Sequence, residues 1–142
     1  MAGPELAVID ASVAAKWFLT EPESETSLAL RRDHVDGRVV LNAPVFLPFE
    51  VANALRYHAL LGAEPVAAAV SKLFGVQVRL DPPTPESLSQ AVDVAYRTGL
   101  TVYDASYLAL AERLDSTLYS ADERQIAAAP SRVVHIRDFR GG

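Results

Sequence analysis

Cysteine is absent from this 142-residue chain, which excludes disulfides and thiolate metal sites outright. Histidine is scarce, and His34, His58 and His135 stand at spacings that match no metal motif. Lysine is scarcer still, two residues against eleven arginines. Arginine grips phosphate or carboxylate in a bidentate way, so the basic set leaves both kinds of partner open. No stretch approaches the ~20 uncharged apolar residues of a membrane span. The opening MAGPELAVID meets an acidic residue too early for a secretory signal, and a cytoplasmic protein without a membrane partner is the expectation. The chain also lacks G-x-G-x-x-G, G-x-x-x-x-G-K-[ST] and G-x-S-x-G, so dinucleotides, P-loop nucleotides and a serine nucleophile elbow have no support.

What is present is an ordinary globular balance, 50% hydrophobic and 22% charged residues, at a length suited to one domain over 1–142. Short apolar runs alternate with helical patterns. LAVID (6–10), VVLNAP (39–44), VQVRLDPP (76–83), STLYSAD (116–122) and RVVHI (132–136) read as strands. ASVAAKWFLTEPES reads as helical up to the Pro22 region, and SETSLALRRDHVDG as a helix closed by Gly37. FLPFEVANALRYHALLG reads as a helix with Gly62 just past its end, followed by EPVAAAVSKLFG. TPESLSQAVDVAYRTG opens with a capping box at Thr84 or Ser87 and closes at Gly99, and TVYDASYLALAERL and ERQIAAAP follow. Nearly all-apolar strands separated by helices predict a mainly parallel sheet with helices on both faces, an α/β fold. Ligands of such sheets gather beyond the carboxyl ends of the strands.

Four carboxylates stand at those places. Asp10 closes the first strand and either Asp10 or Ser12 can cap the helix after it. Glu50 lies at the edge of the apolar stripe of its helix, and no Lys or Arg follows three or four residues on. Asp104 fits a T-x-x-D capping box with Thr101, yet it shares the side of its helix with Leu108 and Ala111. Asp122, taken alone, is a turn residue beside another S-x-x-E box. Taken together they point to a shared cleft. Crowded carboxylates take up protons unless a cation lies among them. Without cysteine or a histidine cluster, that cation is a hard, oxygen-loving Mg²⁺ or Mn²⁺ rather than zinc. The formal charge of −5 is then mostly local, since 18 acidic residues become 14 against 13 basic ones once these four are set aside.

The blocks VIDASVAAKWFL, PFEVANALRYHALL, TVYDASYLALAERL and YSADERQ, in this order from Val8 to about Gln125, resemble the PIN-domain ribonucleases, specifically the VapC-type toxins of toxin–antitoxin pairs. The resemblance implies a three-layer α/β/α sandwich around a mainly parallel sheet of four to five strands. It implies a Mg²⁺- or Mn²⁺-dependent endoribonuclease with one or two ions held by Asp10, Glu50, Asp104 and Asp122. Ser120 then stands where the family often has Thr, a hydroxyl that orients a carboxylate or water. Ser12 has a similar supporting place, and Asn53 in EVANAL is a further donor. Lys16, Arg56 and the Arg31–Arg32 pair are RNA-backbone contacts or simply solvated. A homodimer and a cognate VapB-like antitoxin are implied as partners. The alternative is a catalytically silent PIN-like module that binds RNA or protein. A haloacid-dehalogenase-like phosphatase fails because Ser12 stands where its second Asp belongs, and the strands do not supply the acids of a receiver domain.

Overall fold

A computed structural model describes residues 3–58 and 60–141. Met1, Ala2, Ala59 and Gly142, which the single-domain reading and the predicted helix through HALLG also cover, lie outside the described residues. Five strands, β1 (Glu5–Ile9), β2 (Val39–Pro44), β3 (Arg79–Asp81), β4 (Thr117–Ser120) and β5 (Val133–His135), form one sheet in the order β3-β2-β1-β4-β5. Every pairing is parallel. Among the described residues seven α-helices accompany it: α1 (Ala11–Ala14), α2 (Ser24–Val35), α3 (Leu47–Tyr57), α4 (Ala63–Val76), α5 (Pro85–Thr98), α6 (Val102–Arg113) and α7 (Glu123–Ala128). The architecture is an α/β/α sandwich around an all-parallel sheet.

The central strand explains the arrangement. Val8 and Ile9 of β1 are fully buried, as are Leu41 and Ala43 of β2 and Leu118 of β4. A strand buried on both faces needs helices above and below it, which only crossover connections supply. Leu47, Val51 and Leu55 of α3, and Ala105, Leu108 and Ala111 of α6, close the core against these strands. The chain leaves β1 towards β2 and β3 on one side and returns through β4 and β5 on the other. The sheet order therefore reverses between β1 and β4, where a crevice opens beyond the strand ends. Register does the rest. Ile9 pairs with Tyr119, so the next residues, Asp10 and Ser120, emerge side by side.

Three sequence expectations change. The helix predicted to run to Pro22 is a single α-turn followed by a 3-10 turn at Ala15–Trp17. The Trp17 indole N–H donates to the Ser27 carbonyl, and the Ser27 hydroxyl donates to the Val13 carbonyl. Those bonds dock α2 beside α1 and fold the chain back. Gly62 does not end α3, which stops at Tyr57; with an extended backbone it precedes α4 instead. Leu60 takes the left-handed conformation in that connection, at φ 54°. The third strand is only three residues long, because Gln77, at φ 61°, still belongs to the close of α4. By contrast Thr84 and Ser87 exchange reciprocal capping bonds, and Gly99 closes α5 at φ 80°, where glycine escapes the Cβ penalty.

Candidate active site

A cleft of about 830 Å³ opens at the sheet's reversal point, and Asp10, Glu50, Asp104 and Asp122 all line it. They arrive from four places: the end of β1, the first turn of α3, the first turn of α6 and the residue before α7. Asp10 is the deepest, 5% exposed. Its Oδ1 accepts from the Ser12 N–H at 3.0 Å, the Ser12 hydroxyl at 2.5 Å and the Val13 N–H at 3.4 Å. Its Oδ2 accepts from the Ser120 hydroxyl at 2.5 Å. Both serines are themselves held: Ser12 Oγ accepts from the Ala121 N–H and Ser120 Oγ from the Asp122 N–H. A web of bonds thus ties the turn after β1 to the turn after β4.

Glu50 finds its partner across the cleft, not on its own helix. The Tyr107 hydroxyl, buried on α6, donates to Glu50 Oε1 at 2.6 Å. Tyr107 is the functional candidate that sequence reasoning missed. Its position three residues after Asp104, on the same side of α6, is the signal that was available. Asp104 receives its cap as expected, its N–H donating to the Thr101 hydroxyl at 3.1 Å, while its carboxylate faces the cleft. Asp122 caps α7 through the Arg124 N–H at 2.9 Å. The Arg124 guanidinium stands 3.5 Å from Asp122 Oδ2 and 3.8 Å from Asp104 Oδ2, a cation the sequence reading also missed. Asn53 and Lys16 line the cleft. Asn53 is exposed. The Lys16 ammonium is engaged by Glu21 Oε1 at 3.2 Å and the Pro22 carbonyl at 2.9 Å. Arg56 does not line the cleft; its guanidinium lies 4.9 Å from the centre of the Tyr57 ring.

Electrostatically these groups share one field. Burial pushes Asp10 up to about 6, against the two serine hydroxyls and the Val13 N–H, and the charge of Asp122 adds to the rise. Glu50 is raised by burial, opposed by Tyr107 and reinforced by Asp104. Asp104 is raised by burial and then by Asp122, with Arg124 opposing. Burial and the neighbouring Glu50 drive the Tyr107 hydroxyl far above its ordinary range, so it remains a donor at any working pH. Each raised carboxylate feels another member of the set. Desolvation and like charge are the two forces that a bound cation relieves.

In kind, hard oxygen donors fit a divalent ion of the Mg²⁺ class. In placement the set is open: among the described residues no three His, Asp or Glu side chains are gathered closely enough to hold an ion as they stand. The reason is visible in the hydrogen bonds. Asp10 is turned to its serines, Glu50 to Tyr107, and Asp104 and Asp122 towards Arg124. The carboxylates share a cleft without forming a closed cage.

Comparison with known proteins agrees with this architecture. A family model of the PIN domain matches residues 7–130. Ribonuclease VapC3 of Pyrobaculum aerophilum is 33% identical over 124 residues, covering 84% of this chain and 91% of that protein. The crystal structure of PAE2754 from Pyrobaculum aerophilum superposes with a TM-score of 0.67 at 23% identity, covering 94% of this chain and 92% of that one. VapC20 of Mycobacterium tuberculosis, described as a sarcin–ricin loop cleaving toxin, gives 0.68 at 19% identity over 87% of this chain and 95% of its own. FitAcB from Neisseria gonorrhoeae gives 0.61 at 19% identity over 94% and 99%. At these identities the structures speak for the fold, while the family model and the one-third-identical relative span most of the chain. This chain belongs to the PIN domain family.

Proposed function

We propose that the chain, acting as one domain, is a divalent-metal-dependent endoribonuclease of the VapC type, the toxin of a cytoplasmic toxin–antitoxin pair. The observation that carries this reading is the meeting of four acidic residues from four separate elements in one cleft. Asp10, Glu50, Asp104 and Asp122 would hold one or two ions of Mg²⁺ or Mn²⁺. Such an ion, when bound, lowers the pKa of a coordinated water and stabilises charge on the scissile phosphate. The protein's own part is positioning. Ser12 and Ser120 fix both oxygens of Asp10, and Tyr107 fixes Glu50, by bonds already in place. Burial raises Asp10 to about 6, so above that pH it stands as a buried carboxylate that a bound cation would relieve. Asn53, exposed on the wall, is available to a water or a carboxylate. Lys16 would first have to leave Glu21 and Pro22 to meet a phosphate, whereas Arg56 would have to turn from Tyr57. The expected partners are a second copy of the chain and a VapB-like antitoxin whose basic tail is complementary to an acidic cleft.

The test is purified protein with a panel of structured RNAs, in Mg²⁺ or Mn²⁺, in chelator, and as Asp104→Asn. Cleavage that needs the metal and Asp104, leaving 5′-phosphate and 3′-hydroxyl ends, is expected. Cleavage indifferent to chelator, or a 2′,3′-cyclic phosphate product, refutes the mechanism. A catalytically silent module that binds RNA or protein is the second reading. It is favoured by the open placement of the carboxylates, each engaged with its own donor, and it requires metal-dependent cleavage to be absent.

A further inference from the structure

Two aromatic rings at the cleft stand largely in water. Phe49 is 78% exposed and Tyr103 is 64% exposed, and both line the carboxylate cleft. Each immediately precedes one of the acidic residues: Phe49 stands before Glu50 on the first turn of α3, and Tyr103 before Asp104 on the first turn of α6. Consecutive helical residues diverge by about 100° around the axis, so each carboxylate can face the cleft while the ring beside it stands on the rim. Leaving large rings in water forgoes the burial that makes an aromatic residue stabilising. The Tyr103 ring is also held in orientation. Phe46 packs edge-to-face against it at 5.4 Å, and against Tyr107 at 5.6 Å. Tyr107 in turn holds Glu50. Ring and carboxylate are therefore parts of one supported assembly.

Charge says what the rings are for. A nucleic-acid binder ordinarily draws its affinity from cations that displace counterions from phosphates. This chain has a net charge of −5, and the cations nearest the carboxylates are taken: Lys16 by Glu21, Arg124 by Asp104 and Asp122. A metal ion on the four carboxylates would hold the scissile phosphate itself, but few free cations flank it for the neighbouring phosphates, so the bases supply the remaining affinity. Every base has a face on which an exposed aromatic ring can stack, whatever its sequence. Resting on the ribonuclease reading above, we infer that Phe49 and Tyr103 are stacking platforms for unpaired nucleobases flanking the scissile phosphate. Bases within an A-form duplex are already stacked and cannot be offered to the rings, so the platforms act only on unpaired nucleotides.

The test uses the full chain carrying Asp104→Asn to slow cleavage, titrated with a single-stranded oligoribonucleotide containing 2-aminopurine. In the parent, binding should quench the probe and depend only shallowly on salt. Phe49→Leu and Tyr103→Leu keep an apolar side chain but remove the ring; each should weaken binding about tenfold or more and lessen the quenching. Tyr103→Phe should retain both. A hairpin that pairs the same bases should bind more weakly than the open strand. The thermal melt of Phe49→Leu should match the parent's, and that of Tyr103→Leu should fall by no more than the lost contact with Phe46. Leu variants that bind and quench like the parent overturn the inference, as does a hairpin bound equally well. Leu variants that alter only oligomeric mass would assign the rings to a protein contact instead. If the unmutated protein cleaves and binds no RNA at all, it is the ribonuclease reading itself that falls.

Discussion

Replacing Asp10 by Asn should stabilise the metal-free protein at neutral pH and lose that benefit in acid. Asp10 is buried and titrates near 6, against an ordinary value of 3.8. A folded-state pKa above the unfolded one means that the folded form binds the proton more tightly. The associated stability is fully present below about 3.8 and lost as pH rises through about 6. At pH 8 the ionised carboxylate therefore costs the fold about 3 kcal/mol relative to its protonated form. Asparagine resembles the protonated acid in shape and caps a helix as well as aspartate does. Its carbonyl can take the Ser12 and Val13 N–H bonds, and its amide can donate to Ser120 Oγ. Ser120 must then turn its own hydrogen to Ser12, 3.5 Å away, a weaker arrangement that loses roughly 1 kcal/mol.

The balance is a gain of about 2 kcal/mol at pH 8, or roughly 4–8 °C in melting temperature for a chain of this size. In chelator at pH 3.5 the gain should vanish or turn into a small loss. Paired melts of parent and variant across this range isolate Asp10 from Glu50 and Asp104, whose raised values act on both proteins alike. Adding Mn²⁺ at pH 8 should raise the parent's melting temperature more than the variant's. A variant destabilised at pH 8, or changed equally at both pH values, would show that Asp10 is an ordinary ionised cap and that burial does not govern its proton.

Tyr107→Phe removes the donor to Glu50 Oε1 and leaves the ring packed; it should cost about 1 kcal/mol in chemical denaturation and lower RNA cleavage by misorienting Glu50. Arg124→Ala removes the cation beside Asp104 and Asp122. Exposed pairs are worth roughly 0.2–1 kcal/mol, so calorimetry should find Mn²⁺ bound up to about fivefold more tightly, and weaker binding would mean the arginine helps gather the carboxylates. Thr101→Ala and Asp104→Asn separate the two duties of the α6 terminus. The first should cost about 1 kcal/mol of stability with cleavage retained, and the second should abolish cleavage in a protein that still melts cooperatively.

The sheet was legible because its central strands are nearly all apolar: VVLNAP carries a single polar residue, Asn42, itself buried, and β2 spans those six residues. The capping box at Thr84 and the glycine at Gly99 were equally readable, since both act within a few residues of themselves. What failed was long-range. Nothing in ASVAAKWFLTEPES announces that Ser27 will accept from Trp17 and fold the segment back. Asp10, Glu50, Asp104 and Asp122 could be picked out because they stand at strand ends and helix starts, where a parallel sheet opens a crevice. Their hydrogen-bond partners could not. The bond from Ser120 to Asp10 spans 110 residues, and that from Tyr107 to Glu50 spans 57. Such pairings depend on strand register and on the way α6 faces α3, which no local pattern encodes.

Capping and chemistry are not competing explanations for these carboxylates. Asp10 and Asp122 each cap a short helix with one oxygen, through the Ser12 and Val13 N–H groups and the Arg124 N–H. In neither case does capping use both oxygens against backbone. The second oxygen of Asp10 meets Ser120 and that of Asp122 meets Arg124, both partners brought by tertiary structure. A helix start favours the ionised carboxylate, while burial opposes it, and at Asp10 burial wins. The cap thus fixes where the carboxylate stands, and the surrounding fold sets how readily it holds a proton. Asp10 is held in place by its cap and its serines yet left electrostatically unsatisfied by burial, and on the ribonuclease reading proposed above a cation would relieve that penalty.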